Sequence, residues 1–316
     1  MTASSRIGTA PMARAEAGVD AGTTVPGPRR RAEWPLALGF LAPSLVVFSV
    51  FVFYPLGRTI WLGLHRQDPF GNASFYVGLD QYRDVVTSSA FVNSLKATAG
   101  FALITVPLGL VLGLGLALLA HQQLRGITFF RTIFSSTVAT SVAVASLMWL
   151  TLFNPSIGVV NQFLSSVGRD PVAWLQDPDT ALLAVSLTTV WQNLGITFLI
   201  MIAGLQSIPD ELYESARIDG AGGWSRFVNI TVPLLSPTLL FATVVLTISA
   251  FQSFGQIDLL TRGGPFGRTN VIVYSIFNDA NSDPGRAAAT AVVLFGIILV
   301  LTLVQFRFLE RRVFYG

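Results

Sequence analysis

The stretch ELYESARIDGAGGWSRFVNITVPLLSP, residues 211–237, is the most polar long segment in the second half of the chain, and apolar segments long enough to cross a membrane flank it on both sides. Its first part, 211–218, mixes charged and apolar residues in the manner of an amphipathic surface helix. The DGAGG at 219–223 predicts a turn, because glycine adopts positive φ without strain. A second short helix should lead to Pro233 at the start of the next apolar segment. The segment is therefore predicted to be a helix–turn–helix connection beside the membrane.

The composition of the whole chain is that of a membrane protein. Of its 316 residues, 52% are hydrophobic and only 12% are charged, whereas a soluble domain carries roughly 25% charged residues. The chain has no cysteine and only two histidines, far apart in sequence, which excludes thiolate chemistry and argues against a histidine metal site. Its net charge is +3 and its arginines are scattered, so it lacks the basic patch of a nucleic-acid-binding protein. We therefore expect a membrane protein without a metal site and without a nucleic-acid partner.

Six apolar runs predict six transmembrane helices, and so an all-α membrane protein. Each run has about 20 residues, enough to cross ~30 Å of hydrocarbon at ~1.5 Å per residue. No charged residue lies in the middle of a run, and Lys96 and Arg131 lie near ends, where long side chains reach the interface. Strands of a membrane barrel would be shorter and would alternate polar with apolar residues. The runs lie at about 35–57, 94–120, 130–152, 181–204, 233–253 and 287–306.

The two ends of the chain predict its orientation. Residues 1–34 are rich in Ala, Gly, Thr, Pro and Arg without an apolar period, which is typical of a disordered cytoplasmic tail ahead of a membrane domain at 35–316. A signal peptide is the alternative, but the apolar run that follows has no small-residue cleavage site. Dense arginine clusters at 29–31 and 307–312 adjoin the first and last spans. Because such clusters stay in the cytoplasm, we expect both termini, and the polar segment, on the cytoplasmic side of a plasma membrane.

The polar segment resembles the EAA signature of ATP-binding-cassette (ABC) importer permeases, roughly E-A-A-x-x-D-G-A, a spacer, then F-x-x-I-x-L-P-x-x-x-P. Ser215 replaces the first alanine of this pattern and Val232 replaces the leucine before the proline, and both changes are conservative. The match lies between the fourth and fifth predicted spans, where the family carries it. The matching residues are Glu214, Ala216, Asp219, Gly220, Ala221, Phe227, Ile230, Pro233 and Pro237.

Two further stretches carry the same resemblance. Residues 250–277 are similar to the segment of carbohydrate-type permeases that ends in T-x-G-G-P-x-x-x-T, with Thr261 and Thr269 at the ends of the pattern and Arg262 where the family commonly has glycine. The carboxyl-terminal segment is similar to that of Ugp-type glycerol-3-phosphate permeases. The resemblance covers about residues 35–316 and implies the type I importer (MetI-like) permease fold in a bacterial inner membrane. It also implies a small polar carbohydrate-type solute, with glycerol-3-phosphate or a glycerophosphodiester ahead of a sugar or oligosaccharide.

The resemblance further implies a set of partners and a role for the polar segment. The partners are a homologous second permease, two copies of an ABC ATPase and an extracytoplasmic solute-binding protein, assembled within membrane lipid. The coupling loop, residues 209–232, would dock on the ATPase, and Glu214 would pair with a basic residue there. Gly220 would make a turn at which any Cβ would clash. The residues implied to couple the chain to the ATPase are Glu214, Ser215, Ala216, Asp219, Gly220 and Ala221.

The energy source is expected to lie outside this chain. Its single lysine, Lys96, is not part of a P-loop sequence, so ATP would be bound by the partner ATPase and this chain would carry no cofactor. The alternative is a secondary, ion-coupled transporter, which usually keeps ionisable groups at membrane depth, where the six runs have none. An intramembrane enzyme would need a catalytic cluster within the bilayer. The runs contain no such cluster, so we expect a protein without catalytic residues.

Five polar residues in or beside spans four and five are candidates for lining a translocation cavity. An unsatisfied amide is costly inside a membrane, so each amide either forms an interhelical hydrogen bond or lines a path for a hydroxylated solute. No Arg or Lys lies at membrane depth to hold a phosphate, so a phosphate charge would be handled by the binding protein, by the partner subunit or by Arg262 and Arg268 of the outer loop. Asp258, at the outer end of span five, would either gate the path, contact the binding protein or simply be solvated. The five residues are Gln192, Asn193, Gln252, Gln256 and Asp258.

Overall fold

The structure, a computed structural model, describes residues 34–67, 74–122 and 126–309. The predicted tail, 1–34, lies outside the described residues except for Trp34, which begins the first helix. The chain forms two compact units that divide between Phe53 and Tyr54.

The elements of each unit follow in chain order. The first unit holds α1 (Trp34–Phe48) and a π-helical segment (Ser49–Phe53). The second holds α2 (Tyr54–Gly63), β1 (His65–Gln67), β2 (Ser74–Tyr76), α3 (Asp80–Thr87), α4 (Ser89–His121), α5 (Ile127–Ser135), a 3-10 turn (Ser136–Ala139), α6 (Val142–Leu152), α7 (Val159–Ser166), α8 (Ala181–Gln206), α9 (Asp210–Ile218), α10 (Gly223–Arg226), a second π-helical segment (Phe227–Thr231), α11 (Val232–Phe251), α12 (Gly255–Leu260), α13 (Ile272–Asp279) and α14 (Pro284–Leu309).

Within the described ranges, five helices are long and apolar enough to cross a membrane, and a bent pair of helices makes a sixth span if it counts as one. The prediction of a helical membrane protein is therefore confirmed. The five helices overlap the first, second, fourth, fifth and sixth predicted runs, and several extend beyond the apolar core of the run. They are Ala37–Gly63, Ser89–His121, Ala181–Gln206, Gly223–Phe251 and Pro284–Phe308.

The third predicted span, 130–152, is broken in its middle, because Ile127–Ala139 and Val142–Leu152 meet at an angle of 104°. Hydroxyl side chains lie at the break. Ser136 donates a 2.7 Å hydrogen bond to the carbonyl of Ile133, and Ser141 caps α6. Serine and threonine offer the backbone local partners that compete with a continuous helix. The cluster of hydroxyl residues carried this signal, which the length of the apolar run concealed.

A short antiparallel hairpin, β1 with β2, lies between α2 and α3 and pairs His65 with Tyr76. The His65 ring stacks on that of Trp61 with centroids 4.0 Å apart. The all-α prediction did not include this hairpin, because three-residue strands are too short to show an alternating pattern.

Helix α8 is the central span, since 56% of its most apolar stretch is buried inside the chain. Helix α4 approaches it closely at Gly113, where a Cβ would lie 2.5 Å from Thr197 Cγ2. Small residues of this kind let membrane helices pack at short range. Two clusters of buried apolar side chains complete the core. The first includes Phe101, Phe251, Ile257 and Ile272, and the second includes Phe198, Met201, Leu205 and Leu235.

Candidate functional site

The polar segment between α8 and α11 contains a helix, α9, that ends in a Schellman motif. Gly220 has a φ of +77°. Its N–H donates to the Arg217 carbonyl at 3.1 Å, and the Ala221 N–H donates to the Ala216 carbonyl at 2.8 Å. These are the two bonds by which a Schellman motif satisfies the last carbonyls of a helix. The predicted helix followed by a glycine turn is therefore confirmed.

The requirement for glycine at position 220 is conformational. A Cβ at Gly220 would meet no atom within 4 Å, so the expectation of a clash is wrong for the chain by itself. The constraint is the left-handed φ, which costs a residue with a Cβ about 1–2 kcal/mol. Gly222 provides the contrast, because its φ is −67° and the space around it is also open.

The second half of the segment differs from the prediction in detail. Pro209 is the N-cap of α9, and Asp210 lies in the first turn of this helix. Beyond the turn, α10, the π-helical segment and α11 form one continuous helix, Gly223–Phe251. The expected second short helix is therefore the beginning of the fifth span.

Tyr213 attaches α9 to the membrane-spanning part of the chain. Its hydroxyl lies 3.1 Å from the Oγ1 of buried Thr231, and its ring packs against the second core cluster. A groove of about 290 Å³ lies beside this contact, lined by Leu212, Asn229, Ile230, Pro233 and Leu234.

The residues predicted to couple the chain to an ATPase lie on an accessible surface. In the parts of the chain that the structure describes, no ion pair contains the Glu214 carboxylate, so it is available to an external cation. Glu214, Ser215, Asp219 and Gly220 are exposed, while Ala216 and Ala221 are half-buried.

Two apolar residues of the same surface were missed by the sequence reasoning. Ile218 is 87% exposed and Trp224 is 77% exposed, on either side of the glycine turn. Apolar side chains exposed beside the matched motif are candidates for contact with another molecule or with the membrane surface. The signal was visible in the sequence as two apolar residues among charged and glycine residues.

Two of the five predicted cavity residues meet in a hydrogen-bonded network. Gln256 Nε2 donates to Gln192 Oε1 at 2.6 Å, and Gln192 Nε2 donates to the Thr140 carbonyl at 3.3 Å. Ser253 Oγ donates to Gln256 Oε1 at 3.4 Å. The pair therefore forms interhelical bonds, one of the two alternatives, and joins α8 to α12 and to the break between α5 and α6.

The other three residues take no part in these hydrogen bonds. Asn193 lines a small cavity between α4, α8 and α11. Gln252 is exposed at the C-cap of α11, and Asp258 is half-buried on α12. The hydrogen bonds thus join two of the five predicted positions, Gln192 and Gln256.

The T-x-G-G-P-x-x-x-T pattern forms a cross-linked loop between α12 and α13. Thr269 is fully buried, and its Oγ1 donates to the Gly264 carbonyl at 2.6 Å and lies 2.7 Å from Thr261 Oγ1. Arg262 has a φ of +51°, a conformation that glycine adopts with less strain. The bonds fix both ends of the loop and leave Phe266, at its tip, 94% exposed.

Comparison with known proteins identifies a matching family and similar relatives. Residues 105–315 match the family described as "Binding-protein-dependent transport system inner membrane component". The sn-glycerol-3-phosphate transport system permease protein UgpA of Agrobacterium fabrum (strain C58) is 39% identical over 281 residues, which cover 87% of this chain and 95% of the relative. UgpA of Escherichia coli O157:H7 is 36% identical over 290 residues, which cover 90% and 97%.

A solved structure has the same fold. It is the crystal structure of a bacterial ABC transporter involved in the import of the acidic polysaccharide alginate, and it matches with a TM-score of 0.74 and 26% identity over 88% of this chain and 96% of that chain. The sequence match, the helical membrane fold and the loop between α8 and α11 agree. This chain belongs to the family of binding-protein-dependent transport system inner membrane components, as a multi-pass ABC transporter permease and not an enzyme.

Proposed function

We propose that this chain is one of two homologous permease subunits in a bacterial importer for sn-glycerol 3-phosphate or a glycerophosphodiester. Two copies of a partner ATPase would bind ATP, and an extracytoplasmic binding protein would deliver the solute. The observation that carries the solute class is the 39% identity to UgpA along 95% of that relative's length. A sugar or oligosaccharide is the second candidate, since the structural relative imports an acidic polysaccharide. Membership in this family favours ATP-driven import over the ion-coupled alternative.

The proposed orientation places both termini in the cytoplasm. With the described helices taken in order, α9 and the glycine turn then face the cytoplasm, while the α12–α13 loop faces outward. Arg217 and Arg226 lie in the inner segment, in agreement with the preference of basic residues for that side.

On the inner side, α9 is the proposed docking element for the ATPase. Its exposed Glu214 would pair with a basic residue of the ATPase, and the exposed Ile218 and Trp224 would supply apolar contact. The short side chain of half-buried Ala216 would let α9 pack closely against the ATPase. The Schellman turn at Gly220 sets the angle between α9 and the fifth span.

Within the membrane, amides rather than charges are proposed to line the solute path. Asn193 lines a small cavity between three spans, and Gln192 and Gln256 form a polar junction beside the outer end of α11. Gln252 and Asp258, exposed and half-buried, are proposed for the mouth of the path. Amides offer donors and acceptors to a solute's hydroxyl groups without the desolvation cost of a buried charge.

The test is uptake of radiolabelled sn-glycerol 3-phosphate by proteoliposomes that contain the whole transporter and its binding protein. We expect ATP-dependent uptake that excess unlabelled solute suppresses and maltotriose does not. Absence of sn-glycerol 3-phosphate uptake, together with ATP-dependent uptake of radiolabelled maltotriose by the same proteoliposomes, would reverse the order of the two solute classes.

Coupling is tested separately with Glu214→Lys, because truncating one partner of a charge pair in an interface costs on the order of 2–5 kcal/mol and reversal adds repulsion. We expect loss of the ATPase on purification while the permease still inserts in the membrane. Glu211→Lys makes the same charge change on the same exposed helix, outside the matched motif, and should retain the ATPase. Full ATPase retention and uptake with Glu214→Lys would show that α9 is only a connector.

A further inference from the structure

A large cavity lies away from the coupling helix α9 and from the amides of α8 and α12, and of the residues given a candidate role above it includes Arg268. Its volume is about 590 Å³, within the size range of small-molecule sites. Three segments that are distant in sequence form it, namely the start of α4, the turn before α8 and the tip of the α12–α13 loop. In the proposed orientation all three lie on the outer side of the membrane. The polar lining residues are Asn93, Lys96, Asp179, Arg268 and Asn270.

The charge of this cavity is unbalanced. Lys96, the single lysine of the chain, and Arg268 are opposed by one carboxylate, that of Asp179. In the described residues no ion pair contains any of the three, so the side chains are not neutralised at short range. Lys96 and Arg268 are exposed and belong to separate elements, which lets them approach one anion from two sides. Arginine and lysine so placed suit a phosphate or carboxylate.

The same cavity also has an amide in the part of its lining that the α12–α13 loop supplies, that of Asn270. Thr269, which precedes it, is fixed by its bonds to Gly264 and Thr261, so the position of Asn270 along the loop is held. An amide offers donors and an acceptor to the hydroxyl groups of a ligand.

We propose that this cavity is an outer vestibule site for a small anion that also carries hydroxyl groups, received from the binding protein before it enters the membrane path. Lys96 and Arg268 would hold the anionic group, and the Asn270 amide would bond a hydroxyl group. The proposal rests on the proposed function for its orientation and for sn-glycerol 3-phosphate as probe, and it adds a charged site that the spans themselves lack. It assigns to Lys96 and Arg268 the phosphate that no membrane-depth residue can hold.

The absence of cysteine from the chain permits a direct electrostatic test. A single Asn93→Cys substitution places a thiol on the cavity lining in the complete transporter. Its reaction rates with anionic and cationic methanethiosulfonate reagents of similar size report the local potential. We expect the anionic reagent to react faster, and the ratio to fall about fivefold when Lys96→Gln and Arg268→Gln are added, since nearby unit charges interact appreciably even in water. Arg83→Gln, an exposed arginine of α3 outside the cavity, is the matched control and should leave the ratio unchanged.

Protection of the same thiol identifies the ligand class. We expect sn-glycerol 3-phosphate to slow labelling more than glycerol or inorganic phosphate does at equal concentration, and this protection to disappear in the Lys96→Gln/Arg268→Gln variant. Liposomes of phosphatidylcholine with and without phosphatidylglycerol separate a soluble anion from a lipid headgroup. Labelling that responds to the anionic lipid and not to the solute would overturn the proposal. A thiol that reacts in the isolated permease but not in the complete transporter would also overturn it, because a partner would then occupy the cavity.

The two proposals fail in different ways. A rate ratio near one, unaffected by the two substitutions, removes the vestibule site whatever solute the transporter carries. A ratio that behaves as expected, together with no uptake of sn-glycerol 3-phosphate, supports the anion site and removes the proposed solute. If both stand, Lys96→Gln/Arg268→Gln should raise the KM for uptake severalfold while the ATPase still co-purifies, and Arg83→Gln should leave the KM unchanged.

Discussion

The glycine turn after α9 provides a sharp test of how the polar segment works. Gly220 has a φ of +77° in a Schellman motif, and a Cβ there would meet no neighbouring atom. Gly220→Ala therefore isolates the cost of left-handed backbone, about 1–2 kcal/mol, which corresponds to a roughly 5- to 30-fold shift against the native turn. We expect ATPase co-purification to fall by a similar factor when the ATPase is limiting. Gly220→Val should lose more, because β-branched residues are still less tolerant of positive φ.

Two matched variants separate conformation from loss of glycine as such. Gly220→Asn should retain most of the ATPase, because asparagine visits the left-handed region more readily than alanine. Gly222→Ala changes a glycine of the same loop that has a φ of −67° and open space around it, and should bind the ATPase normally. Equal losses for Gly220→Ala and Gly222→Ala, or equal retention by Gly220→Ala and Gly220→Asn, would refute the assignment of the Schellman turn as the element that orients α9.

Three other predictions concern the outer half of the molecule. Gln192→Leu leaves buried Gln256 without its 2.6 Å partner and should destabilise the purified protein by about 1–3 kcal/mol. In thermal unfolding, the Gln192→Leu/Gln256→Leu double variant should regain part of this loss. If the losses of stability of the two single variants simply add in the double variant, the contact is contradicted. Thr269→Val removes the hydroxyl that bonds Gly264 and Thr261 and should speed protease cleavage of the α12–α13 loop from outside, whereas Thr269→Ser should not. Burial raises the pKa of Asp279 above its ordinary 3.8, while Arg286 opposes this shift and Asp283 adds to it. Because the folded state then binds the proton more tightly, the free energy of unfolding should decrease as pH rises from about 3.8 through the raised pKa. Asp279→Asn should flatten this dependence on pH.

The spans and the helix–turn structure of the polar segment were predictable because each depends on a local or strongly periodic signal. Apolar runs near 20 residues identify membrane helices from composition alone. The turn at Gly220 was predictable because glycine-rich turns are encoded locally. The sequence could not show that Gly220 is required for its positive φ and not for lack of space. The space around a Cβ depends on how α9 lies against the fifth span.

The break in the third span and the outer cavity depend on different information. Whether the hydroxyl residues at 135–141 break the helix depends on tertiary contacts as well as on local sequence. One such contact is the hydrogen bond that the Gly195 N–H of α8 donates to Thr137 Oγ1 at 2.8 Å. The cavity unites Lys96 with Arg268, residues that have three predicted spans between them. No spacing rule connects such positions, so only the packing of α4 against α8 and the α12–α13 loop brings them together.

The continuous helix Gly223–Phe251 leads from the glycine turn after α9 to α12, and so connects the proposed docking element with the proposed outer cavity. Its 29 residues span about 44 Å at 1.5 Å per residue. The π-helical segment Phe227–Thr231, followed by Pro233 and Pro237, weakens the regular hydrogen-bond ladder in the first half of the helix, since proline has no N–H to donate.

The outer part of this helix is held differently. Several of its side chains are buried, and Gln305 of α14 donates to Thr247 Oγ1 at 2.8 Å. A displacement applied to α9 would therefore bend the helix between Phe227 and Pro237, and the stiffer remainder would move together with α14. That remainder ends beside α12, the Gln192–Gln256 junction and the loop that carries Arg268. An ATPase docked on α9 would thus act on the outer cavity through one bend and one rigid segment.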